Sequence, residues 1–382
     1  MSTENAKLSL LRRHRLLAPS AAVLVSPICL GGMNFGDAWK SKLGECNKDT
    51  TFEILDYFYQ MGGNFIDTSN NYQAEQSEAW IGEWMAKYPH RRDEMVIATK
   101  YAEDWKTYTG PHLLQSNYGG NSAKSLHISV EASLKKFQTT YLDLLYVHFW
   151  DYTASVEEVM TSLNILVNQG KVLYLGISNT PAWIVVKCNE FARRHGMRGF
   201  CVYQGRWSAA DRDMERDILP MCKAEGMAVA PWGALGGGYF KSPTRSQTDD
   251  QGRTLTSLVV GREEALSIVL DKIAKARGTL ITSVAFAYIM QKAPYVFPIC
   301  GGRKISHLKG NIEALELELS TEEIDEIEAA YPFDVGFPLN VINGPKPPLV
   351  PQDNMQTAVR GKFDYVEGPK PISLSRTKGP SL

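Results

Sequence analysis

Short apolar runs alternate along the chain with longer segments whose apolar residues recur at helical spacing. The short runs lack an alternating polar face, which is typical of parallel strands covered on both sides. Between them, spacings of three and four residues, as at Phe52, Leu55 and Tyr59, predict amphipathic helices. The predicted strands cover residues 26–32, 65–67, 95–100, 142–148, 172–178, 200–204, 227–232 and 295–300.

Capping residues mark several helix ends. Ser155 and Glu158 have the spacing of a capping box, and Gly170 supplies a C-terminal stop. Thr180-Pro181 predicts a helix that begins with a cap residue and has proline in its first turn. The predicted helices cover 50–61, 74–87, 123–137, 155–170, 214–224, 263–276 and 282–292, with two more from 180 and from a second capping box at 320 and 323.

Eight strands alternating with helices favour a closed (β/α)8 TIM barrel over an open doubly wound sheet. An open sheet that binds a dinucleotide would carry a Gly-x-Gly-x-x-Gly turn after an early strand, and none follows one here. Two long polar loops, 101–122 and 233–262, are expected at the barrel mouth, where such loops are usually functional.

The two chain ends are predicted to differ from the barrel. Residues 1–26 hold apolar runs split by Pro19-Ser20, which predicts an N-terminal hairpin or plug. Residues 332–382 contain nine of the nineteen prolines and no helical period. We therefore expect a barrel domain over 1–331, followed by an irregular tail over 332–382.

Composition narrows the possible partners and the compartment. A net charge of −1 argues against nucleic acid as the main partner. No apolar run approaches the roughly 20 residues that span a bilayer, and the arginines at 12, 13 and 15 are followed by Pro and Ser, unlike a signal peptide. The six cysteines form no Cys-x-x-Cys pair and have no nearby His. They indicate reduced thiols of a cytoplasmic protein without a metal site.

Four residues with ionisable side chains fall at or just beyond strand ends: Asp67, Tyr72, Lys100 and His148. The C-terminal ends of the strands are where barrel active sites form. Each residue also has an ordinary interpretation, since Asp67 could cap a helix, Tyr72 and His148 could be core residues, and Lys100 could be a surface lysine. Their common position on neighbouring strands favours a catalytic group.

The same four residues, with the sequences around them, resemble the aldo-keto reductases. The resemblance covers about residues 12–330, and the loop 70–82 is similar to the fungal aryl-alcohol dehydrogenase and norsolorinic acid reductase branch. The matching motifs are 63–68 (Gly-Asn-Phe-Ile-Asp-Thr), 98–100 (Ala-Thr-Lys), 143–148 (Asp-Leu-Leu-Tyr-Val-His) and 176–179 (Gly-Ile-Ser-Asn).

Carbonyl reduction needs a hydride on carbon and a proton on the developing alkoxide, and Tyr72 is the predicted general acid. A phenol has an ordinary pKa near 10. An ammonium about 4 to 5 Å away favours phenolate by roughly 3 to 4 kcal/mol at an effective dielectric near 20, so Lys100 is expected to bring the pKa of Tyr72 toward neutrality. Asp67 would keep Lys100 charged and in place. A neutral His148 would hydrogen-bond the substrate oxygen.

The resemblance implies NADP(H) as cofactor. Trp232 would stack on the nicotinamide, and a glycine-rich loop would let backbone N–H groups approach the pyrophosphate. Two adjacent cations after the last strand suit the 2′-phosphate dianion, which favours NADPH over NADH. Position 310 is a glycine in this chain, whereas many aldo-keto reductases have an acidic residue there. The residues expected to contact the cofactor are Asp67, Ser178, Asn179, Gln204, Trp232, Gly233, Leu235, Gly238, Lys241, Gly302, Arg303, Lys304, His307 and Asn311.

The resemblance to this branch implies a small aromatic carbonyl or alcohol as substrate, and aromatic side chains near the mouth could stack on its flat ring. Trp39 and Trp105 would line the pocket together with Tyr72 and His148, although such aromatics could equally anchor loops. One alternative is a ketoreductase acting on an aromatic polyketide. Another is an NADPH-binding regulatory subunit, which is disfavoured because no inactivation-type extension precedes the barrel. We expect a monomer or a weak homo-oligomer.

Overall fold

The computed structural model describes residues 9–110, 114–240, 260–344, 354–362 and 364–373. Eight parallel strands form one sheet in which the first seven pair in chain order, and the last strand pairs with the first. A separate antiparallel hairpin of β1 (Arg15–Ala18) and β2 (Ala21–Val25) precedes the barrel. The eight barrel strands are β3 (Cys29–Gly31), β4 (Phe65–Asp67), β5 (Val96–Tyr101), β6 (Leu142–Val147), β7 (Val172–Ser178), β8 (Phe200–Arg206), β9 (Ala228–Trp232) and β10 (Ile299–Gly301).

The barrel closes between β9 and the segment that precedes β10. Val229 donates its backbone N–H to Tyr295 O at 3.0 Å and accepts from the N–H of Phe297 at 2.9 Å. The ladder then breaks at Pro298, which has no N–H to donate, so β10 covers 299–301 and not the predicted 295–300. The predicted (β/α)8 barrel is confirmed.

Helices alternate with the barrel strands. They are α1 (Lys40–Leu43), α2 (Lys48–Gln60), α3 (Gln76–Ala86), α4 (Arg91–Glu94), α5 (Ala123–Phe137), α6 (Val156–Asn168), α7 (Ala182–Arg194), α8 (Ile218–Glu225), α9 (Val260–Arg277), α10 (Ile281–Lys292), α11 (Ile305–Glu313) and α12 (Thr321–Ala330), with α13 (Leu339–Ile342) and α14 (Met355–Arg360) in the tail. Short 3₁₀ turns occur at Leu10–Arg12, Thr107–Thr109, Asp213–Glu215, Gly236–Gly238 and Ala314–Glu316.

The helix N-termini only partly follow the prediction, because a capping residue or a proline determines where each helix begins. Ser155 caps α6 as expected, but the carboxylate of Glu158 accepts from Ala123 N at 3.0 Å, at the start of α5, and so does not complete a capping box. The box at Ser320 is complete. The helix predicted over 214–224 begins at Ile218, because Pro220 fits only the first turn of a helix.

The predicted N-terminal hairpin is present, and it closes the amino-terminal end of the barrel. Leu17, Ala18 and Val25 are fully buried and pack in one cluster with inward-facing strand residues such as Phe65 and Val202. A second, larger core fills the space between strands and helices. Among the described residues no helix is long and apolar enough to cross a membrane.

The tail is less irregular than the sequence indicated. It contains the short helices α13 and α14, the second capped by Asn354. It is also attached to the barrel, since Arg216 donates to Asp334 O at 2.7 and 3.0 Å and Ser373 donates to Glu318 at 2.6 Å. The division of the chain at residue 331 stays a prediction.

Candidate active site

Lys100 and Asp67 form a buried ion pair at the carboxyl ends of β5 and β4. Lys100 is 0% and Asp67 3% exposed, and Nζ lies 2.7 Å from Oδ2. The ammonium also donates to Thr68 O at 2.7 Å and to the Tyr72 hydroxyl at 3.4 Å. The structure therefore brings three of the four predicted catalytic residues into one hydrogen-bonded group.

The ion pair and the phenol influence each other's ionisation. Burial lowers the pKa of Lys100, but the Asp67 carboxylate and Tyr72 raise it by more, so the ammonium stays charged. Burial raises the pKa of Tyr72, and nearby Lys100 offsets only part of that increase. The expectation of a phenol pKa near neutrality is therefore wrong for this structure, in which Tyr72 holds its proton at neutral pH.

His148 follows β6 directly and is held by its backbone and by one ring nitrogen. Its N–H donates to Tyr101 O at 2.9 Å, and Nδ1 lies 3.3 Å from Ser69 Oγ. Burial, with a further contribution from Lys100, lowers the pKa of His148 well below its usual value. The rings of His148 and Tyr72 meet edge to face at 6.1 Å. A neutral imidazole thus lies beside the phenol, as the sequence predicted.

A left-handed turn, which the sequence did not reveal, follows Tyr72. Gln73, Ala74 and Glu75 have φ of +54°, +52° and +78°, a conformation that costs an L-residue about 1–2 kcal/mol. The fully buried Gln73 side chain accepts from Trp39 N at 2.7 Å and donates to Met33 O at 3.0 Å. The turn is therefore fastened to the loop after β3.

The residues predicted to hold the nicotinamide lie at the ends of β7, β8 and β9. Ser178 Oγ is buried and has no hydrogen-bond partner within the described part of the chain. Asn179, with φ of +44°, donates its side-chain amide to His148 O at 3.1 Å. Gln204 donates to Asp67 Oδ1 at 2.8 Å, and Trp232 is 38% exposed at the end of β9. A buried hydroxyl without a partner among the described residues and an exposed indole, two strands apart at the same end of the barrel, fit an amide-bearing aromatic ring.

The glycine-rich loop after β9 has the backbone that close approach requires. Gly233, Gly236, Gly237 and Gly238 all have φ between +62° and +95°. Space is open where a side chain at Gly238 would point. Leu235 precedes the 3₁₀ turn and is partly buried. Lys241, also predicted to contact the cofactor, lies outside the described residues.

The residues predicted to bind the 2′-phosphate lie around the start of α11, and Asn311, predicted to reach the adenine, lies further along the same helix. Lys304 occupies the N-cap position, and Gly302, Lys304 and Asn311 line one small pocket. The His307 side chain lies beside Gly302, where a Cβ at position 302 would come within 3.4 Å of it. Arg303 extends to Gly44 in the loop after β3, where a Cβ at position 44 would fall 1.5 Å from its guanidinium. The positively charged residues are thus grouped at a helix N-terminus.

The two tryptophans predicted to line the substrate pocket have different surroundings. Trp39 meets Tyr72 at 6.3 Å and Tyr108 at 5.8 Å between ring centroids. Trp105 is only 4% exposed. It packs against Tyr118 at 5.7 Å, and the ammonium groups of Lys106 and Lys136 lie 4.3 and 5.0 Å from its ring. These contacts make Trp105 an anchor of its loop, while Trp39 adjoins the phenol of Tyr72.

The fold and the arrangement of these side chains define a barrel enzyme whose ionisable groups gather at the strand ends, where such barrels carry out their chemistry. The chain belongs to the aldo/keto reductase family, whose model matches residues 27–332. It is an oxidoreductase that acts on carbonyl or alcohol groups, and members of this family generally use NADH or NADPH.

Fungal relatives match almost the whole chain. An aryl-alcohol dehydrogenase of Pestalotiopsis microspora is 56% identical over 378 residues, which cover 98% of this chain and 97% of the relative. Norsolorinic acid reductase B of Dothistroma septosporum is 53% identical, with 95% and 94% covered. Norsolorinic acid reductase A of Aspergillus parasiticus is 58% identical, with 87% and 85% covered.

Proposed function

We propose that this protein is an NADPH-dependent reductase of aromatic aldehydes or ketones that also oxidises the corresponding aryl alcohols. The observation that carries the proposal is the Tyr72 hydroxyl, 3.4 Å from a lysine that is itself paired with a buried aspartate. A protonated phenol beside a fixed ammonium can give its proton to an alkoxide and hold the resulting negative charge.

Each member of the group has a distinct task. Tyr72 donates the proton to the substrate oxygen. Lys100 stabilises the phenolate that remains, and Asp67 keeps Lys100 in place. His148 is neutral, so one ring nitrogen accepts and the other donates. If Nδ1 accepts from Ser69 Oγ, Nε2–H is available to the substrate oxygen and orients the carbonyl before proton transfer.

The cofactor, when bound, supplies the hydride. Among the described residues the buried Ser178 hydroxyl has no partner and could bind the carboxamide, Asn179 and Gln204 are its neighbours, and Trp232 offers an exposed ring for stacking. Asp67 adjoins this group through Gln204. The glycines after β9 would receive the pyrophosphate. Arg303 and Lys304, at the start of α11, support NADPH over NADH, because charged hydrogen bonds to a phosphate dianion contribute about 1.5–3 kcal/mol each.

The aromatic substrate class is supported by Trp39, whose ring contacts the phenol of Tyr72 and packs against Tyr108, and by the aryl-alcohol dehydrogenase among the relatives. The norsolorinic acid reductases at 53% and 58% identity favour a second candidate, the reduction of an aromatic polyketide ketone. Six buried, unpaired cysteines support a reducing compartment, and we place the enzyme in the cytoplasm as a monomer or weak homo-oligomer.

The test is to follow NADPH oxidation with substituted benzaldehydes and with a polycyclic aromatic ketone, in parallel with NADH and with Tyr72→Phe. We expect turnover with NADPH, much slower turnover with NADH, and loss of activity in the variant with cofactor binding retained. Full activity of Tyr72→Phe would refute its role as general acid. Tight NADPH binding without turnover of any carbonyl would favour a regulatory subunit instead.

A further inference from the structure

Lys136 connects the chain segment around Tyr72 with the segment around Lys100 and belongs to neither. It lies near the C-terminal end of α5, with its side chain 14% exposed. Its ammonium pairs with Glu75 at 3.2 Å and with Glu78 at 2.6 Å. It also donates to Asn70 O at 3.4 Å. All three partners flank Tyr72 in sequence.

Glu78 and Asn70 extend the connection to the strand of the catalytic lysine. The Glu78 side chain is fully buried, and its Oε1 accepts from Thr99 Oγ1 at 2.5 Å. Thr99 immediately precedes Lys100 in β5. The N–H of Asn70 donates to Lys100 O at 3.3 Å. Two groups that contact Lys136 therefore also hold β5 at its carboxyl end.

Glu75 extends the connection to the tyrosine. It is the last residue of the left-handed turn that follows Tyr72. L-residues adopt this conformation only where their surroundings hold them in it. Glu75 is held by Lys136 and, at 2.5 Å, by Lys106, which lies six residues after Lys100. The turn and the segment after β5 are thus tied by the same carboxylate.

We propose that Lys136 is a positioning residue whose contacts fix the separation between the Tyr72 hydroxyl and the Lys100 ammonium. This rests on the proposed function, in which that hydroxyl donates the proton. The separation of 3.4 Å is long for a hydrogen bond, so a small movement of either segment breaks it. Misplacement of a reacting group by about 1 Å can lower a rate about 100-fold.

Two variants, Lys136→Met and Lys136→Met/Glu78→Gln, distinguish an effect of Lys136 on positioning from an effect on stability. Lys136→Met keeps the length of the side chain but leaves the buried Glu78 without its counter-charge, which destabilises the fold. In Lys136→Met/Glu78→Gln that charge is gone, and the new amide oxygen can still accept from Thr99. The double variant should recover stability without restoring the link to Glu75.

We expect Lys136→Met to lower kcat about 10- to 100-fold, with the dissociation constant for NADPH changed less than about twofold because no contact near the cofactor residues is lost. The double variant should regain the melting temperature of the wild type and keep the low kcat. Lys135→Met, at the exposed neighbour on the same helix, is the matched control and should behave as wild type in both measurements.

Recovery of kcat together with stability in the double variant would overturn the proposal, as would a wild-type kcat for Lys136→Met. If the wild type reduces no carbonyl, the proposed function fails, but crystal structures of the variants still decide this inference. The distance from Tyr72 Oη to Lys100 Nζ should exceed hydrogen-bond length in Lys136→Met and stay near its present value in Lys135→Met. An unchanged distance in the first would refute positioning.

Discussion

Gln204 donates its side-chain N–H to Asp67 Oδ1 at 2.8 Å, while Lys100 binds the other oxygen of the same carboxylate at 2.7 Å. Asp67 is thereby held from two sides, by a charged donor and by a neutral one. Gln204, predicted to bind the nicotinamide, also orients the acidic partner of Lys100. The predicted nicotinamide site and the ion pair would thus share one side chain.

Gln204→Leu removes the neutral donor and leaves a buried carboxylate oxygen without its hydrogen bond. We expect the free energy of unfolding to fall by about 1–3 kcal/mol. If Gln204 also contacts the carboxamide, the dissociation constants for NADPH and NADH should rise together. Urea denaturation and fluorescence titration measure the two effects. Gln169→Leu, at an exposed glutamine, is the control, and equal stability of the two variants would contradict the prediction.

Lys100→Met leaves Asp67 as an unpaired charge in a buried position. Breaking such a pair costs about 3–5 kcal/mol, whereas removing both partners is often close to neutral. The double variant Asp67→Asn/Lys100→Met should therefore recover much of the lost stability and none of the reductase activity. Thermal unfolding and NADPH oxidation, measured on the same samples, test this. A double variant as unstable as Lys100→Met would show that the pair is not what stabilises this end of the barrel.

The parts of the site that the sequence predicted are those with a local signal. Asp67 and Lys100 stand at the ends of apolar runs, and the parallel topology brings such ends together. The left-handed turn at 73–75 has no glycine to announce it, because its conformation is imposed by distant partners of Gln73 and Glu75. Local sequence does not contain those contacts.

Two other differences between the sequence prediction and the structure also arise from contacts and burial that the local sequence does not encode. Trp105 belongs to an aromatic-rich loop, but its surroundings are set by two lysines, one of them on α5. The pKa of Tyr72 was expected to follow Lys100 alone, and burial proved to be the larger effect. Spacing along a chain gives the approximate distance between charges and says little about how much solvent they lose.

The pKa of Tyr72 predicts where reduction is lost at high pH. Reduction needs the protonated phenol, and burial raises its pKa despite Lys100. The alkaline decline of kcat/KM for aldehyde reduction should therefore lie above the ordinary phenol value of about 10, provided that the protein stays folded there. A pH–rate profile with a parallel circular dichroism record tests this. A decline between about pH 7 and 8 would show that Lys100 outweighs burial.

The pKa of His148 predicts a loss of stability in acid. Because burial lowers the pKa of the folded-state imidazole, the unfolded chain binds the proton first. The contribution of neutral His148 is therefore present above the unfolded-state value of about 6.5 and is lost as pH falls from there toward the folded-state pKa. Unfolding free energies between about pH 7 and 5 should show a shallower slope in His148→Gln than in the wild type. His127→Gln, at an exposed histidine, should keep the wild-type slope.

Gly44 is expected to control the choice between NADPH and NADH through Arg303. With φ of +77° it lies against the Arg303 guanidinium, and a Cβ there would overlap the side chain. Gly44→Ala should displace Arg303 and raise the dissociation constant for NADPH about tenfold or more, the value of one charged hydrogen bond, while that for NADH stays nearly constant. Fluorescence titration with both cofactors gives the ratio of the two dissociation constants, called here the cofactor ratio.

Two further variants separate this effect from backbone strain. Gly278→Ala carries the same left-handed strain, since φ is +63°, but meets no atom within 4 Å, so it should lower stability without changing the cofactor ratio. In an Arg303→Ala background the effect of Gly44→Ala on that ratio should disappear, because the displaced side chain is gone. A ratio that shifts equally with and without Arg303 would mean that Gly44 acts on the 2′-phosphate by another route.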